Sequence, residues 1–410
     1  MSPRWRQWLM VFGFFVVGAL AYRPAFNAFF LADDFFFLSY VREQGLKAAW
    51  TCFPRDFLRP MVMGSFWWDS TLWGLNGWGF HLTNVLFHTL NALLVASLAE
   101  FWLKQNGWDS LRAQWLAPLA GLIFLVHPSH TEAVSWISGR SDVLAVFWGL
   151  SSLLAYLRWR SSGRRLWLPG AWCLFGLALL SKESMITLPL IILLLERFSP
   201  NPPSSNIRRW TPAAGYIAVV LLYGAARWAV LGAIIGGYGE SIHMRFDRPF
   251  WIRNLLFYTT RTVLPVGEWR IHESVLFYGK IILWMTASLG IVQLLFRRRA
   301  KDGDSIRRLF LPEWFWMLAG MYLFSLLPVI NLGVHLGTSL GERFIYWPSV
   351  FAVLLIVCLC DVLLRRRQWG ALGVLTAIIL IYTATLYRAN WIWQEAGQIS
   401  RQLLVDIQEY

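Results

Sequence analysis

The sequence predicts an all-α protein that crosses a membrane many times. Of its 410 residues, 57% are hydrophobic and only 15% are charged, and the mean hydropathy is +0.48. A water-soluble domain of this size cannot bury so much apolar surface, and a disordered chain would be far more polar. Apolar runs approaching the ~20 residues that cross a bilayer as a helix recur along the chain. Composition therefore excludes an ordinary soluble enzyme.

Eleven apolar runs are candidate transmembrane helices. The first begins near Trp8, after a short basic N-terminus, and it lacks the small-residue cleavage site of a signal peptide. The other candidates lie near residues 80–103, 115–127, 142–157, 166–181, 184–196, 210–231, 275–296, 310–330, 344–364 and 369–387.

Basic residues predict the orientation, because Lys and Arg accumulate in cytoplasmic loops. With eleven spans, the cytoplasmic loops carry 20 of the 37 basic residues, which places the N-terminus inside and the C-terminus outside. Two long outer segments remain, residues 32–79 and 232–274, and their mixture of aromatic and charged residues is typical of interfacial helices. A twelfth span at 250–265 is the alternative, but it would move the basic cluster after residue 296 to the outer side.

Two adjacent acids, Asp33 and Asp34, follow the first span. Charged residues near membrane depth are costly and mark functional sites. A carboxylate here could act as a general base or bind a metal. The structural alternative is a helix start, because acids also stabilise helix N-termini.

A second polar stretch holds His127, His130 and Glu132, followed by Arg140 and Asp142. The apolar run before it would rise only about 18 Å as a helix, so this turn is predicted to lie below the outer membrane surface. The histidines and the glutamate could hold a metal, although their spacing matches no standard zinc motif. Contact with a phosphate or substrate is favoured, and a hydrogen-bonded connection between helices is the structural alternative.

A third polar stretch, Lys182-Glu183 between two serines, divides the apolar run from 166 to 195. The arms on its two sides are about 15 and 12 residues long, so its tip is also predicted to be recessed. Lys182 could bind a phosphate while Glu183 orients it, or the two could form a structural ion pair. On the outer side, Arg59 and Arg343 suit the same anionic ligand or simply reach the interface.

Five sequence blocks resemble a known family: RPAFNAFFLADDFFFL, FLRPMVMGSFWW with LNGWGFHLTNVLFHTLNALLV after it, FLVHPSHTEAVSWISGRSDVLA, LALLSKESMITLPLIILLLE and GERFIYWPSV. In this order, and to about residue 395, they are similar to the membrane part of the transmembrane and tetratricopeptide-repeat O-mannosyltransferases and their bacterial relatives. The resemblance implies a GT-C glycosyltransferase fold. It also implies transfer of mannose or another hexose from a polyprenyl-phosphate donor to an acceptor hydroxyl, with inversion.

The resemblance and the chemistry together suggest roles for the polar residues. A carboxylate of the acidic pair, with Asp33 preferred over Asp34, is the expected base. The expected phosphate clamp combines Lys182 with one of three arginines, Arg343, Arg59 or Arg140. The cavity is expected to be shaped by Glu183, His127, His130, Glu132 and Asp142. No cofactor is certain, and the alternative is a divalent cation, Mg or Mn, held by Asp34, His127, His130 and Glu132.

The expected domains are a transmembrane glycosyltransferase domain at 1–390 and a short outer helix at 391–410, without tetratricopeptide repeats. The expected partners are the lipid-linked donor, membrane lipids, and an acceptor that is a protein, a glycan or a lipid. No nucleic acid is expected, because the basic residues follow topology and form no stripe. The predicted location is a bacterial inner membrane, with the site facing the periplasm.

The rival function is a transporter or flippase of a lipid-linked sugar. Such proteins show matching broken helices in both halves of the chain. Here the recessed charges are concentrated in the first half, which favours the transferase.

Overall fold

The computed structural model describes residues 3–49, 57–198, 206–234, 242–263, 312–334, 341–364 and 368–409. Helices dominate these ranges, with one antiparallel pair of three-residue strands, β1 (Ile242–Met244) and β2 (Leu332–Val334). The prediction of a helical membrane protein is confirmed in this coarse form. The predicted span at 275–296 and the basic cluster after it lie outside the described residues.

The α-helices follow one another along the whole described chain. They are α1 (Pro3–Ala21), α2 (Asp33–Gln44), α3 (Pro60–Trp73), α4 (Gly77–Gln105), α5 (Ser110–Leu125), α6 (Thr131–Val134), α7 (Arg140–Ser162), α8 (Trp167–Leu179), α9 (Leu188–Arg197), α10 (Asn206–Leu231), α11 (Arg248–Val263), α12 (Glu313–Leu326), α13 (Tyr346–Leu363) and α14 (Gln368–Glu409). Short 3₁₀ turns lie at Arg23–Asn27, Gly45–Ala49, Pro128–His130, Ile137–Gly139, Glu183–Thr187 and Glu342–Ile345.

Four helical stretches in the described ranges are long and apolar enough to cross a membrane: Gly77–Gln105, Trp210–Leu231, Glu342–Leu363 and Trp369–Ile407. Three shorter apolar helices, at Gln7–Ala21, Ser110–Leu125 and Trp167–Leu179, also coincide with predicted spans. A helix satisfies its own backbone hydrogen bonds, which is what a lipid environment requires. The chain is an integral membrane protein. The total of eleven spans and the orientation stay predictions.

Small residues let the central helices approach closely. A Cβ atom added to Gly121 of α5 would lie 2.6 Å from the carbonyl oxygen of Ala92 in α4. Ala96 and Ala117 are buried in the same core. Close packing between small residues is what holds helices together in lipid, where no hydrophobic effect drives them together. This packing gives the polar turns at the helix ends a rigid support.

Two polar turns interrupt the bundle where the sequence predicts them. The first connects α5 to α7 and contains the single-turn helix α6. The second connects α8 to α9, which have 13 and 10 residues and therefore rise only about 20 and 15 Å. Both arms are shorter than a ~30 Å hydrocarbon core, as the prediction of a recessed tip requires.

The segment predicted to lie on the outer side folds into α2 and α3 over an aromatic core. The rings of Phe30 and Phe80 meet edge to face at 5.3 Å, and Phe66 lies 5.9 Å from Phe80. These three side chains are almost fully buried, whereas Phe36 and Trp68 on the same segment are exposed. This segment therefore has a hydrophobic core of its own, and the acidic pair at the start of α2 packs beside it.

The C-terminal helix α14 is continuous over 42 residues. The sequence predicts a boundary near residue 390, but the helix passes through it without a break. A Cβ atom at Gly397 would lie 2.4 Å from the backbone nitrogen of Phe29, and the Ser400 hydroxyl donates to the carbonyl oxygen of Phe30 at 2.9 Å. The C-terminal half of α14 thus packs against the segment that leads to the acidic pair.

Candidate active site

The acidic pair begins α2 directly after a strained residue. Ala32 has φ +45°, and within the described ranges no other non-glycine residue has a positive φ. Such a conformation costs of order 1–3 kcal/mol, persists only where its surroundings enforce it, and is frequent at active sites. The two acids that follow differ in environment, since Asp33 is exposed and Asp34 is buried.

The buried acid, Asp34, accepts three hydrogen bonds. The Leu31 N–H donates to Oδ2 at 2.9 Å, the Ser138 N–H donates to Oδ1 at 2.7 Å, and the Ser138 hydroxyl donates to the same oxygen. Burial raises the pKa of Asp34 to about 7, although these hydrogen bonds act in the opposite direction. Asp34 therefore fastens the start of α2 to the turn Ile137–Gly139 and leaves Asp33 available to a ligand.

Titration of Asp34 is expected to lower the free energy of unfolding as the pH rises. Between about pH 4, where an unfolded aspartate releases its proton, and about pH 7, only the folded state holds this proton. The free energy of unfolding should therefore fall through this window and level off above it. Asp34→Asn should remove the decline and Asp33→Asn should keep it, as measured by denaturant unfolding across the window. Parallel pH dependence in wild type and Asp34→Asn would contradict this expectation.

The turn that receives Asp34 is held from the opposite side by α4. The Asn84 amide donates to the carbonyl oxygens of Trp136 and Ile137 at 3.3 Å each. The indole N–H of Trp136 donates in turn to the carbonyl oxygen of Leu31 at 3.3 Å. Neither Trp136 nor Ser138 stands out in the sequence as a site residue, except that both lie inside the block SWISGR.

The recessed Lys182-Glu183 tip forms ion pairs with residues distant in sequence. Lys182 Nζ lies 2.5 Å from Asp142 Oδ2 of α7. Glu183 accepts two hydrogen bonds from Arg59, at 2.7 Å from Nη2 and at 3.2 Å from Nε. The two neighbours are thus paired separately, and four predicted site residues (Lys182, Glu183, Asp142 and Arg59) are brought into one region.

Arg343 joins this region from the 3₁₀ turn before α13. Its backbone N–H donates to Glu132 Oε2 at 3.2 Å, and its side-chain Nε lies 3.8 Å from Glu132 Oε1. The guanidinium carbon lies 5.0 Å from the centre of the Trp136 ring, which is a cation–π contact. Arg343 is therefore next to Trp136, which donates a hydrogen bond to Leu31. Residues 31–34, which contain the acidic pair, are called the acidic loop below.

Of these three cations, Lys182 lines a cavity of about 680 Å³, and Arg59 and Arg343 lie close enough to Lys182 to act on its charge. Glu183, Phe344 and a further cation, Arg227, line it with Lys182. The remaining lining is mainly apolar and includes Ile186, Val220, Leu221, Trp228, Pro328 and Val329. Charged groups beside a mainly apolar lining suit an amphiphilic ligand that carries a phosphate group.

Arg140, a predicted phosphate ligand, lies elsewhere. Its side chain is fully buried, 2.6 Å from Asp69 Oδ2, and it donates to Asn84 Oδ1 at 2.6 Å and to the Phe80 carbonyl at 2.8 Å. The Phe66 ring covers its guanidinium at 4.8 Å. With its donors taken by the protein and no exposure to the cavity, Arg140 is placed to hold α3, α4 and α7 together. The sequence analysis missed its partner Asp69.

The histidines are engaged in the protein interior. His127 Nε2 donates to the Thr262 carbonyl at 2.9 Å, and its Nδ1 accepts from the Ser129 N–H at 3.3 Å. His130 bonds to the Ser349 hydroxyl at 2.9 Å and stacks on His127 with ring centres 4.8 Å apart. Across the described residues, no three His, Cys, Asp or Glu side chains form a group able to hold an ion. Among the described residues, the predicted ligands His127 and His130 are therefore occupied by hydrogen bonds to the protein and form no metal-binding group with Asp34 and Glu132.

No protein-family model matches this chain. Curated proteins that are similar to it are named protein O-mannosyl-transferases. "Protein O-mannosyl-transferase Tmtc3" of Drosophila melanogaster is 26% identical over 90% of this chain and 46% of its own length. "Protein O-mannosyl-transferase TMTC2" of Homo sapiens is 37% identical over 32% of this chain and 15% of its own length. The chain spans about half or less of the length of these relatives.

One solved structure resembles the fold weakly over nearly the whole chain. The crystal structure of ArnT from Cupriavidus metallidurans bound to undecaprenyl phosphate covers 97% of this chain and 77% of its own, with a TM-score of 0.46 and 14% identity. The sequence relatives are the stronger finding. They confirm the resemblance that the five sequence blocks indicate: over nine-tenths of its length, this chain is similar to a protein O-mannosyl-transferase.

Proposed function

We propose that this chain transfers a sugar from a polyprenyl-phosphate donor to an acceptor hydroxyl at the outer side of the membrane. The observation that carries the proposal is that Lys182, which lines a mainly apolar cavity of about 680 Å³, has Arg59 and Arg343 close beside it. The cations suit the phosphate, and the apolar wall suits the prenyl chain. The names of the curated relatives support a mannosyl donor and a protein acceptor as the first pair to test.

In the proposed reaction, the acceptor oxygen attacks the anomeric carbon as the bond from that carbon to the phosphate oxygen breaks. Asp33, exposed at the start of α2, takes the hydroxyl proton. Lys182, Arg59 and Arg343 stabilise the charge that develops on the departing phosphate. Attack from the face opposite the phosphate gives inversion, as the family resemblance implies.

The acids beside the cations have a defined part in this scheme. Asp142, Glu183 and Glu132 lie beside Lys182, Arg59 and Arg343 respectively, so the region stays nearly neutral before the donor binds. Unpaired buried charges would be costly in this apolar surrounding. A phosphate can then share these cations with the acids as it enters.

The direct test is an assay of the full chain in nanodiscs with radiolabelled polyprenyl-phosphate mannose and protein, glycan or lipid acceptors, with and without EDTA. The expected result is labelled acceptor and free polyprenyl phosphate. If no acceptor is labelled while the intact donor crosses liposome membranes containing the protein, the transferase proposal fails and the transporter takes its place.

Lys182→Ala is expected to raise the donor KM by roughly 10- to 100-fold, because a charge-assisted hydrogen bond to phosphate is lost. Donor titrations of the transfer rate measure this effect. Lys104→Ala, which removes an exposed lysine paired with Glu100 on the same chain, is the matched control and should leave KM unchanged. An unchanged donor KM in Lys182→Ala would move the phosphate site elsewhere.

A further inference from the structure

Trp136 contacts both halves of the proposed machinery. The face of its indole ring carries the Arg343 guanidinium at 5.0 Å. Its ring N–H donates to the carbonyl oxygen of Leu31, two residues before Asp33. The side chain is only half-buried and is not one of the groups that line the apolar cavity. One rigid ring thus spans the distance between a phosphate-binding cation and the acidic loop.

The acidic loop is gripped at two points, one on each side of Asp33. Trp136 holds the carbonyl of Leu31, and Ser138 holds the carboxylate of Asp34 with two hydrogen bonds. Both grips come from one short turn, which Asn84 fixes to α4. Between the grips lies Ala32 with its strained φ of +45°. A strained residue relaxes when its restraints are removed, so the Trp136 bond is placed to maintain the direction of Asp33.

We propose that Trp136 is a positioning residue that sets the catalytic base Asp33 relative to the donor phosphate by holding the Leu31 carbonyl with its ring N–H and Arg343 with its ring face. This inference rests on the proposed function and adds a residue to it. The two contacts use different parts of the side chain. They can therefore be removed separately by substitution.

The experiment compares two substitutions in the transfer assay. Trp136→Phe keeps an aromatic face for Arg343 but removes the N–H, so kcat should fall about tenfold while the donor KM stays unchanged. Trp136→Leu removes both contacts, so kcat should fall similarly and the donor KM should rise several-fold as well. If Trp136→Phe fails to fold, Trp136→Tyr replaces it, because a phenol also lacks that N–H.

Trp148→Phe is the matched control. Like Trp136→Phe, it removes an indole N–H from a half-buried tryptophan. The Trp148 ring packs edge to face on Phe147, and its N–H has no hydrogen-bond partner among the described residues. Its kcat and KM should equal those of wild type. A purely structural role for Trp136 would lower the yield of folded protein and leave kcat per folded molecule unchanged, so a Trp136→Phe kcat within about twofold of wild type overturns the proposal.

Failure of the proposed function gives a different result. In that case wild type itself transfers no sugar, and amide hydrogen exchange in the full chain provides the readout. The amides from Leu31 to Asp34 should exchange faster in Trp136→Phe than in wild type and Trp148→Phe. Equal exchange in all three proteins would overturn the positioning role, whatever the reaction is.

Discussion

Asp33→Asn is expected to lower kcat by roughly 10²- to 10⁴-fold while the protein still folds, because the amide cannot accept the acceptor proton. Aspartate and asparagine are nearly isosteric, and Asp33 is exposed, so the substitution should not disturb the fold. The donor KM should stay close to that of wild type, since Asp33 does not touch the cations that bind phosphate in the proposed scheme. Initial rates at saturating donor, together with gel filtration in detergent, measure both properties.

Two further variants sharpen this test. Glu43→Gln alters an exposed carboxylate on the same helix and should leave kcat unchanged. Asp34→Asn should lower kcat less than Asp33→Asn, because its amide oxygen can still accept the hydrogen bonds from Ser138. If Asp33→Asn retained full activity, the base would have to be another residue.

Arg140→Met is expected to have the largest effect on stability, lowering the free energy of unfolding by about 3–5 kcal/mol. The substitution leaves Asp69 buried without its cation and removes the hydrogen bonds that Arg140 donates to Asn84 Oδ1 and to the Phe80 carbonyl. Denaturant unfolding in detergent measures the change. Because Arg140 is fully buried and its guanidinium is engaged by Asp69, Asn84 and the Phe80 carbonyl, the donor KM of the folded fraction should be unchanged.

Arg158→Met on the same helix is the control for this prediction. Arg158 is exposed and packs on the face of Trp167 at 5.2 Å, so its loss should change the free energy of unfolding by about 0.5 kcal/mol or less. If Arg140→Met were no more destabilising than Arg158→Met, the buried ion pair would not be structural. A raised donor KM in Arg140→Met would return Arg140 to the phosphate clamp.

The positions of many helices can be predicted from the sequence, because in lipid the hydropathy of each stretch of chain largely decides whether it forms a spanning helix. A long apolar run has to form a helix that bonds its own backbone, and a polar break in that run is visible without any tertiary contact. The turns at 127–139 and 181–187 were found in this way. The continuation of α14 past residue 390 was not, because a helix that leaves the apolar run gives no hydropathy signal at its boundary.

The site residues were predicted as a set, but not their partners. Lys182 and Glu183 are adjacent in the sequence, which suggested that they pair, yet packing of α7 and the outer segment around the tip offers each a different partner. Arg140 and Arg343 are both single arginines next to polar residues, and nothing in the local sequence distinguishes them. Burial does so, since Arg140 is sealed between α3 and α4 while Arg343 is partly open.

Hydropathy and charge act locally along the chain, so the amino-acid sequence alone predicts a helical membrane protein whose apolar runs are interrupted by charged residues. Which acid of the pair is exposed, which cations lie near Lys182 and which arginine is enclosed in the core follow from the packing of the helices. These properties depend on contacts between residues such as Asp34 and Ser138, 104 positions apart. Such contacts exist only once the helices have packed, and they separate residues of the same type into structural and functional ones.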